Sequence, residues 1–176
     1  MEPEPSGSLL TAILIVLALI IAAALFVAAE IAQISLRESQ VKQMALRGKR
    51  GRRVAKLAEN PNRMLAGVQV GVTFCGFLSA ALGAEKLGLH FIPWLIERGI
   101  SEKSANTISL VTVTIVIAYV SLVLGELVPK RLALFRTEAI ALWSAAAVDV
   151  IANVFRPIIW LLSKSTDFVV RLFGID

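Results

Sequence analysis

ISLVTVTIVIAYVSLVLGELVPKR, residues 108–131, decides how this chain is read. Up to residue 124 it is an almost unbroken apolar run, close to the roughly 20 residues that cross a bilayer as a helix. It then ends in Gly125-Glu126, followed closely by Pro129-Lys130-Arg131. A segment suited to lipid thus finishes with a carboxylate between a glycine and a proline. Pro129 has no N–H, and its ring clashes with the carbonyl of residue i−4, which is Gly125. That carbonyl is expected to leave the helix ladder. Irregular backbone at membrane depth is tolerated where it lines a cavity or is buried in protein. Gly125 and Glu126 are therefore expected to face an ion.

The rest of the chain agrees with a membrane class. It has 176 residues, 57% hydrophobic and only 18% charged, with a mean hydropathy of +0.77. A soluble domain would need more polar surface to cover its core. Residues 9–29 are apolar save Thr11. They lack the basic flank of a signal peptide and are too long for its apolar core. A second apolar run, residues 64–84, holds Gln69, Thr73, Cys75 and Ser79 together with Gly67 and Gly71, a small-xxx-small pair suited to close helix packing. Three spans are expected, at about residues 8–35, 64–84 and 106–126, with a connector over residues 85–106 and disorder over the acidic, Pro-rich residues 1–7.

Charge orients them. Residues 37–63 carry nine Lys/Arg against Glu38 and Glu59. The positive-inside rule puts this loop in the cytoplasm, the N-terminus outside and the C-terminus inside. Amphipathic juxtamembrane helices are expected over about residues 37–60 and 137–173. In the latter, Asp149, Asn153 and Arg156 share one face and Pro157 marks a break. A fourth span there is the alternative. The basic loop is expected to contact anionic lipid; with no interleaved aromatic residue, nucleic acid is not expected as a partner.

Glu30 and Glu126 fall at the inward ends of spans one and three. Gln69 and Thr73 reach the same level from span two, Ser121 borders it, and Ser79 lies further out. Two carboxylates, an amide, hydroxyls and a backbone carbonyl form an all-oxygen donor set, which suits a hard cation such as Mg²⁺. The bland alternatives pair Glu126 with Lys130 at i+4 and Glu30 with an arginine of the loop. Cys75 has no disulfide partner in the chain, and His90 has neither a second His nor the cysteine near it, so a packing role is expected for it.

FVAAEIAQISLRESQ, GVQVGVTFCGFLSAALG and LVLGELVPKRLAL together resemble the transmembrane domain of the CorC/cyclin M (CNNM), or hemolysin C-like, proteins. The resemblance covers nearly the whole of residues 8–176, and the G-E-x-x-P-K element is its most specific part. It implies an all-α integral membrane fold of three spans with a cytoplasmic belt of juxtamembrane helices, a homodimer in the plasma (inner) membrane, and CBS domains downstream. It also implies Mg²⁺ transport, mainly efflux, coupled to Na⁺, with Glu126 as the ion's carboxylate ligand. Two departures matter: Val27 stands where some members carry Ser, and GVTFCG stands where they carry G-N-x-L-V-N. Thr73, Gln69 or Ser79 would replace the missing asparagine.

The expected function is therefore secondary transport of Mg²⁺ through a site of Glu126, Gly125, Thr73, Gln69, Glu30 and Ser79, with Glu30 coordinating or holding Na⁺ or a proton. A Mg²⁺-sensing scaffold that moves no ion is the rival. An intramembrane enzyme is not expected, since HExxH, a Ser–His arrangement and a paired Asp are all missing from the sequence.

Overall fold

The computed structural model describes residues 5–173, with side chains from residue 9. Residues 1–4 of the segment expected to be disordered lie outside it, and helix already begins at Pro5. The helices are α1 (Pro5–Ile34), α2 (Glu38–Leu46), α3 (Lys49–Ala58), α4 (Pro61–Glu97), α5 (Glu102–Val120), α6 (Val128–Phe135), α7 (Thr137–Val154) and α8 (Arg156–Leu172). A π-helical segment, Ser121–Leu127, joins α5 to α6. No strand occurs among the described residues.

Four stretches are long and apolar enough to cross a membrane: Leu9–Ile34, Pro61–Glu97, Glu102–Phe135 and Thr137–Val154. The first three contain the expected spans, and the fourth contains α7. Large apolar side chains such as Leu10, Ile21, Phe74, Phe77, Ile115 and Tyr119 are exposed on the first three. On a water-soluble surface so many would be a liability; against lipid tails they are ordinary.

Two expected boundaries move. The connector over 85–106 shrinks to residues 98–101, because α4 runs on to Glu97. At about 1.5 Å per residue α4 is roughly 55 Å long, well beyond a ~30 Å hydrocarbon core. Its pattern carries through Leu87, Gly88 and Leu95, which keep a packed face past the apolar run. Helix α5 then starts at a true cap: the Ser101 hydroxyl accepts from the Ser104 N–H at 3.4 Å, with Glu102 in the first turn. The second correction concerns Arg156. It does not continue the face of Asp149 and Asn153, because α7 ends at Val154 and Arg156 opens α8, with Pro157 in its first turn.

The chain forms two compact units: Met1–Leu25 with Val72–Pro129, and Phe26–Gly71 with Lys130–Asp176. In the first, Val16, Ile20 and Ile117 form a buried cluster against Leu87, Val113 and Val120. Gly83 lets Ile117 approach, since a Cβ there would meet the Ile117 Cδ1 at 2.0 Å. The Ser109 hydroxyl ties α5 to α4 by donating to the Gly88 carbonyl at 2.8 Å.

In the second unit the basic loop folds into the α2–α3 hairpin. Gly48, at φ +112°, makes the turn, a backbone shape that favours glycine. Gly51 then packs on the α2 backbone so closely that a Cβ would lie 1.7 Å from the Met44 carbonyl oxygen. Val54 and Leu57 are buried beside it. Helix α7 closes the unit through polar ties. Gln33 Nε2 donates to the Ala141 carbonyl at 3.3 Å, and Gln40 Nε2 donates to Glu138 at 3.0 Å. Arg63 donates to Asn153 Oδ1 at 2.7 Å, and Lys56 pairs with Asp149 at 3.6 Å. The polar face of α7 at Asp149 and Asn153 thus meets the basic segment. Gly67 and Gly71 are also occupied inside this unit, by Ala152 and Ile159 and by the Phe26 ring.

Candidate cation site

A cavity of about 270 Å³ opens in the first unit. Helix α4 contributes Val72, Cys75, Gly76 and Ser79; α1 contributes Ile20 and Ala23. The third wall is Ala118, Ser121, Leu122, Gly125 and Glu126, residues that recur at three and four positions on one face of the helix.

The π segment places that wall. Its last turn closes with the Val128 N–H bonded to the Val123 carbonyl, five residues back. In an α register the Gly125 carbonyl would pair with the N–H of residue 129, and Pro129 has none. One wider turn absorbs that defect and re-aims the side chains around it, the usual use of a π-bulge. Gly125 is buried, yet its absent Cβ would sit at an ordinary 3.5 Å from Ile20 Cγ2. Crowding therefore does not require glycine there; the backbone irregularity is the distinctive feature.

Ser79 supplies the second polar element. Its side chain is 1% exposed, lines the cavity, and its Oγ has no hydrogen-bond partner among the described residues. Leaving a buried hydroxyl unsatisfied costs on the order of 1–3 kcal/mol, so such a group asks for a ligand. The structure thus brings together Ser79, Ser121, Gly125 and Glu126: one carboxylate and neutral oxygens, a set that hard cations accept.

The other expected site residues, Thr73, Gln69 and Glu30, are not among the residues that line this cavity. Thr73 is exposed and lines a neighbouring cavity of about 360 Å³ with Phe77, Ala80 and Thr114, which shares Gly76, Ala118 and Ser121 with the first. Gln69 is exposed and Glu30 half-buried, and both belong to the other compact unit. No cluster of three His, Cys, Asp or Glu occurs among the described residues, so a carboxylate-rich cage is not formed there. His90 Nδ1 lies 2.9 Å from the Lys86 carbonyl, one turn back on its own helix. Cys75 is a lining residue that the sequence reading does not assign to the site; its i, i+4 spacing to Ser79 is the signal that could have found it. Irregular backbone around Gly125 is expected from Pro129, but not its form as a π segment.

Comparison with known proteins agrees with this architecture. The family model described as the cyclin M transmembrane N-terminal domain matches residues 14–176. UPF0053 protein sll0260 of Synechocystis sp. is 38% identical over 171 residues, 97% of this chain and 38% of that protein. UPF0053 protein YrkA of Bacillus subtilis is 31% identical over 89% of this chain and 36% of that protein. A protein of Haemophilus influenzae named polyamine export protein is 28% identical over 93% of this chain and 38% of that protein. The chain thus spans well under half the length of these relatives. With several membrane-length helices and a family match over most of its length, it is a multi-pass membrane protein belonging to the cyclin M (CNNM) transmembrane-domain family.

Proposed function

We propose that this domain moves Mg²⁺ across the membrane, as Na⁺-coupled export from the cytoplasm, through the cavity of Ser79, Ser121, Gly125 and Glu126. The observation that carries the reading is that Gly125 and Glu126 of the π segment line the same cavity as Ser79, a buried hydroxyl with no partner among the described residues. Mg²⁺ dehydrates reluctantly and keeps several waters. A volume of about 270 Å³ leaves room for the ion with several of them, at roughly 30 Å³ each. Glu126 supplies the charge, the Gly125 carbonyl and the Ser79 and Ser121 hydroxyls supply neutral oxygens, and the π segment is the element that can change register as the site alternates its exposure. Thr73, in the neighbouring cavity, is a way-station for the ion. Gln69 and Glu30 serve the coupling Na⁺ or a proton.

In this reading α1, α4 and the α5–α6 helix are the three spans, with the N-terminus outside and the C-terminus cytoplasmic. Helices α2, α3, α7 and α8 form the cytoplasmic belt. The working unit is a homodimer, with CBS domains downstream.

One observation favours a second cargo. Ile20, Ala23, Val72 and Leu122 give the cavity apolar walls beside a single carboxylate, an arrangement that suits an aliphatic polycation, and one relative is named a polyamine export protein. Flux assays on the full-length protein in liposomes, with a Mg²⁺ indicator and with labelled spermidine, separate the two. The Glu126→Gln variant is expected to lose Mg²⁺ flux by about 100-fold or more, since even groups that only support a metal's ligands are worth 10–100-fold. Mg²⁺ flux unchanged in that variant would sink the assignment. Spermidine flux without Mg²⁺ flux would replace the cargo. Mg²⁺ binding with no flux in any gradient would leave a sensor.

A further inference from the structure

The structure sorts the cations of the basic loop into two sets. Lys42 pairs with Glu38 at 2.6 Å, Arg47 with Glu138 at 3.4 Å and Lys56 with Asp149 at 3.6 Å, while Arg63 donates to Asn153 and to the Ala152 carbonyl. Lys49, Arg50, Arg52 and Arg53 do none of this. All four are exposed on α3, and none makes an ion pair or a side-chain hydrogen bond among the described residues. The face of α3 that carries Gly51, Val54 and Leu57 is the one committed to packing.

The position of α3 is tightly limited. Its hairpin leaves α1 after Ile34 through residues 35–37 and enters α4 at Pro61 through residues 59–60. At no more than about 3.6 Å per residue, these tethers reach roughly 11 Å and 7 Å. Both helices that hold the tethers are of membrane-crossing length and composition. The hairpin therefore stays within about 11 Å of the ends of two helices of membrane-crossing length. Four like charges within five residues repel one another, and no acid among the described residues pairs with them. A solvated cationic face could sit anywhere; this one is tethered closely to two helices of membrane-crossing length.

We propose that Lys49, Arg50, Arg52 and Arg53 form a binding surface for the phosphate headgroups of anionic phospholipid. The chemistry is that of guanidinium and ammonium donors on phosphate oxygens, with arginine able to hold two oxygens at once. A cation near an anionic leaflet is worth about fivefold in partition, so four of them, acting incompletely together, are expected to give at least a tenfold preference for anionic over zwitterionic lipid. Stacking platforms for a nucleic acid are missing, since α3 has no aromatic residue.

The test is native mass spectrometry of the full-length protein taken from micelles doped equally with phosphatidylglycerol and phosphatidylcholine. The wild type is expected to retain phosphatidylglycerol about tenfold over phosphatidylcholine. The variant Lys49→Gln, Arg50→Gln, Arg52→Gln, Arg53→Gln should lose that preference. The variant Arg50→Lys, Arg52→Lys, Arg53→Lys keeps the charge and should retain most of it, which separates loss of the surface from loss of the fold. Equal retention of both lipids by the wild type overturns the proposal, as does a preference that survives in the Gln variant. Inorganic phosphate displacing phosphatidylglycerol at equal concentration would make the ligand a free anion and overturn the lipid assignment. An RNA oligonucleotide binding where phosphatidylglycerol is not enriched would overturn it in favour of a polynucleotide.

Discussion

The two compact units use polar side chains in opposite ways. In Phe26–Gly71 with Lys130–Asp176, Gln33, Gln40, Arg47, Lys56 and Arg63 reach residues about 90–110 positions away in the chain, and α7 is fastened to the basic segment by them. In Met1–Leu25 with Val72–Pro129, the side-chain bonds are mostly within one turn, such as Ser101 to Ser104 and Thr107 to Lys103, with Ser109 to Gly88 tying two helices. There a buried hydroxyl and a displaced backbone register border a cavity instead. The second unit holds its helices together by long-range polar contacts, although Ser144 Oγ and Arg63 Nε there are also buried without a partner among the described residues; in the first unit the hydroxyl without one, Ser79 Oγ, lines a cavity. Mutations should therefore separate, with stability moving in the second unit and flux in the first.

Gly51→Ala should show the largest effect on stability. A Cβ at this position meets the backbone oxygen of Met44 at 1.7 Å, and backbone cannot rotate away as a side chain can. Forcing α3 off α2 is expected to cost about 1–3 kcal/mol, read as thermal unfolding in detergent. Gly67→Ala is the internal control, because its nearest neighbours lie at 3.4 Å and it should be close to neutral. Flux per folded molecule should survive Gly51→Ala. A collapse of both readouts together would break the comparison.

Ser79→Ala should do the reverse. Removing a buried hydroxyl without a partner leaves stability unchanged or slightly raised. If that hydroxyl serves a cation, flux falls by about tenfold, the lower end for groups that support a bound metal. Lower stability with unchanged flux would return Ser79 to ordinary packing.

The contrast between Ser79 and Thr73 shows what was legible in the sequence. Composition and run length give the membrane class, because burial in lipid is a property summed over about 20 residues. The broken pattern at Pro157 gives the start of α8, because proline acts locally; the turn at Gly48 was not read from the sequence. Depth along a helix can also be counted, which is why Gly125 and Glu126 can be placed at the end of the third apolar run from sequence. Direction around the helix cannot be counted without knowing which face is packed. Thr73 and Ser79 are six residues apart, so at 100° per residue they point about 120° apart. Only the neighbours of α4 decide that Ser79 meets the cavity of Glu126 and Thr73 the next one. The pairing of Arg63 with Asn153 was hidden for the same reason: it depends on how α7 is docked, and that is a non-local fact.

Asp149→Ala tests the ties at smaller scale. The Asp149 side chain is 25% exposed and that of Lys56 is 65% exposed, so the pair is partly screened. Its loss should cost no more than about 1 kcal/mol, and less at high salt. A larger loss would mean that the Asp149 carboxylate also matters through Asn153, whose Nδ2 donates to Asp149 Oδ1 at 3.4 Å.

Lys42→Ala should give the smallest effect, and its smallness is informative. Lys42 and Glu38 sit one turn apart on α2, both largely exposed. The hydrogen bond to Lys42, and then its charge, hold the Glu38 carboxyl below its usual value; the same contacts hold Lys42 above its own. A carboxyl so lowered contributes stability above its unfolded pKa and loses it as pH falls through the folded value. A raised lysine contributes below its unfolded pKa and loses its share as pH rises through the folded one. The pair is therefore complete across neutral pH, so an unfolding curve near pH 7 is where removing it has most to reveal. Full exposure and salt screening should still leave Lys42→Ala indistinguishable from wild type. If instead it destabilises as much as Asp149→Ala, then local pairs within α2 hold the hairpin as firmly as its ties to α7. The second unit would then be stabilised helix by helix, and not by the long-range polar contacts that set it apart from the first.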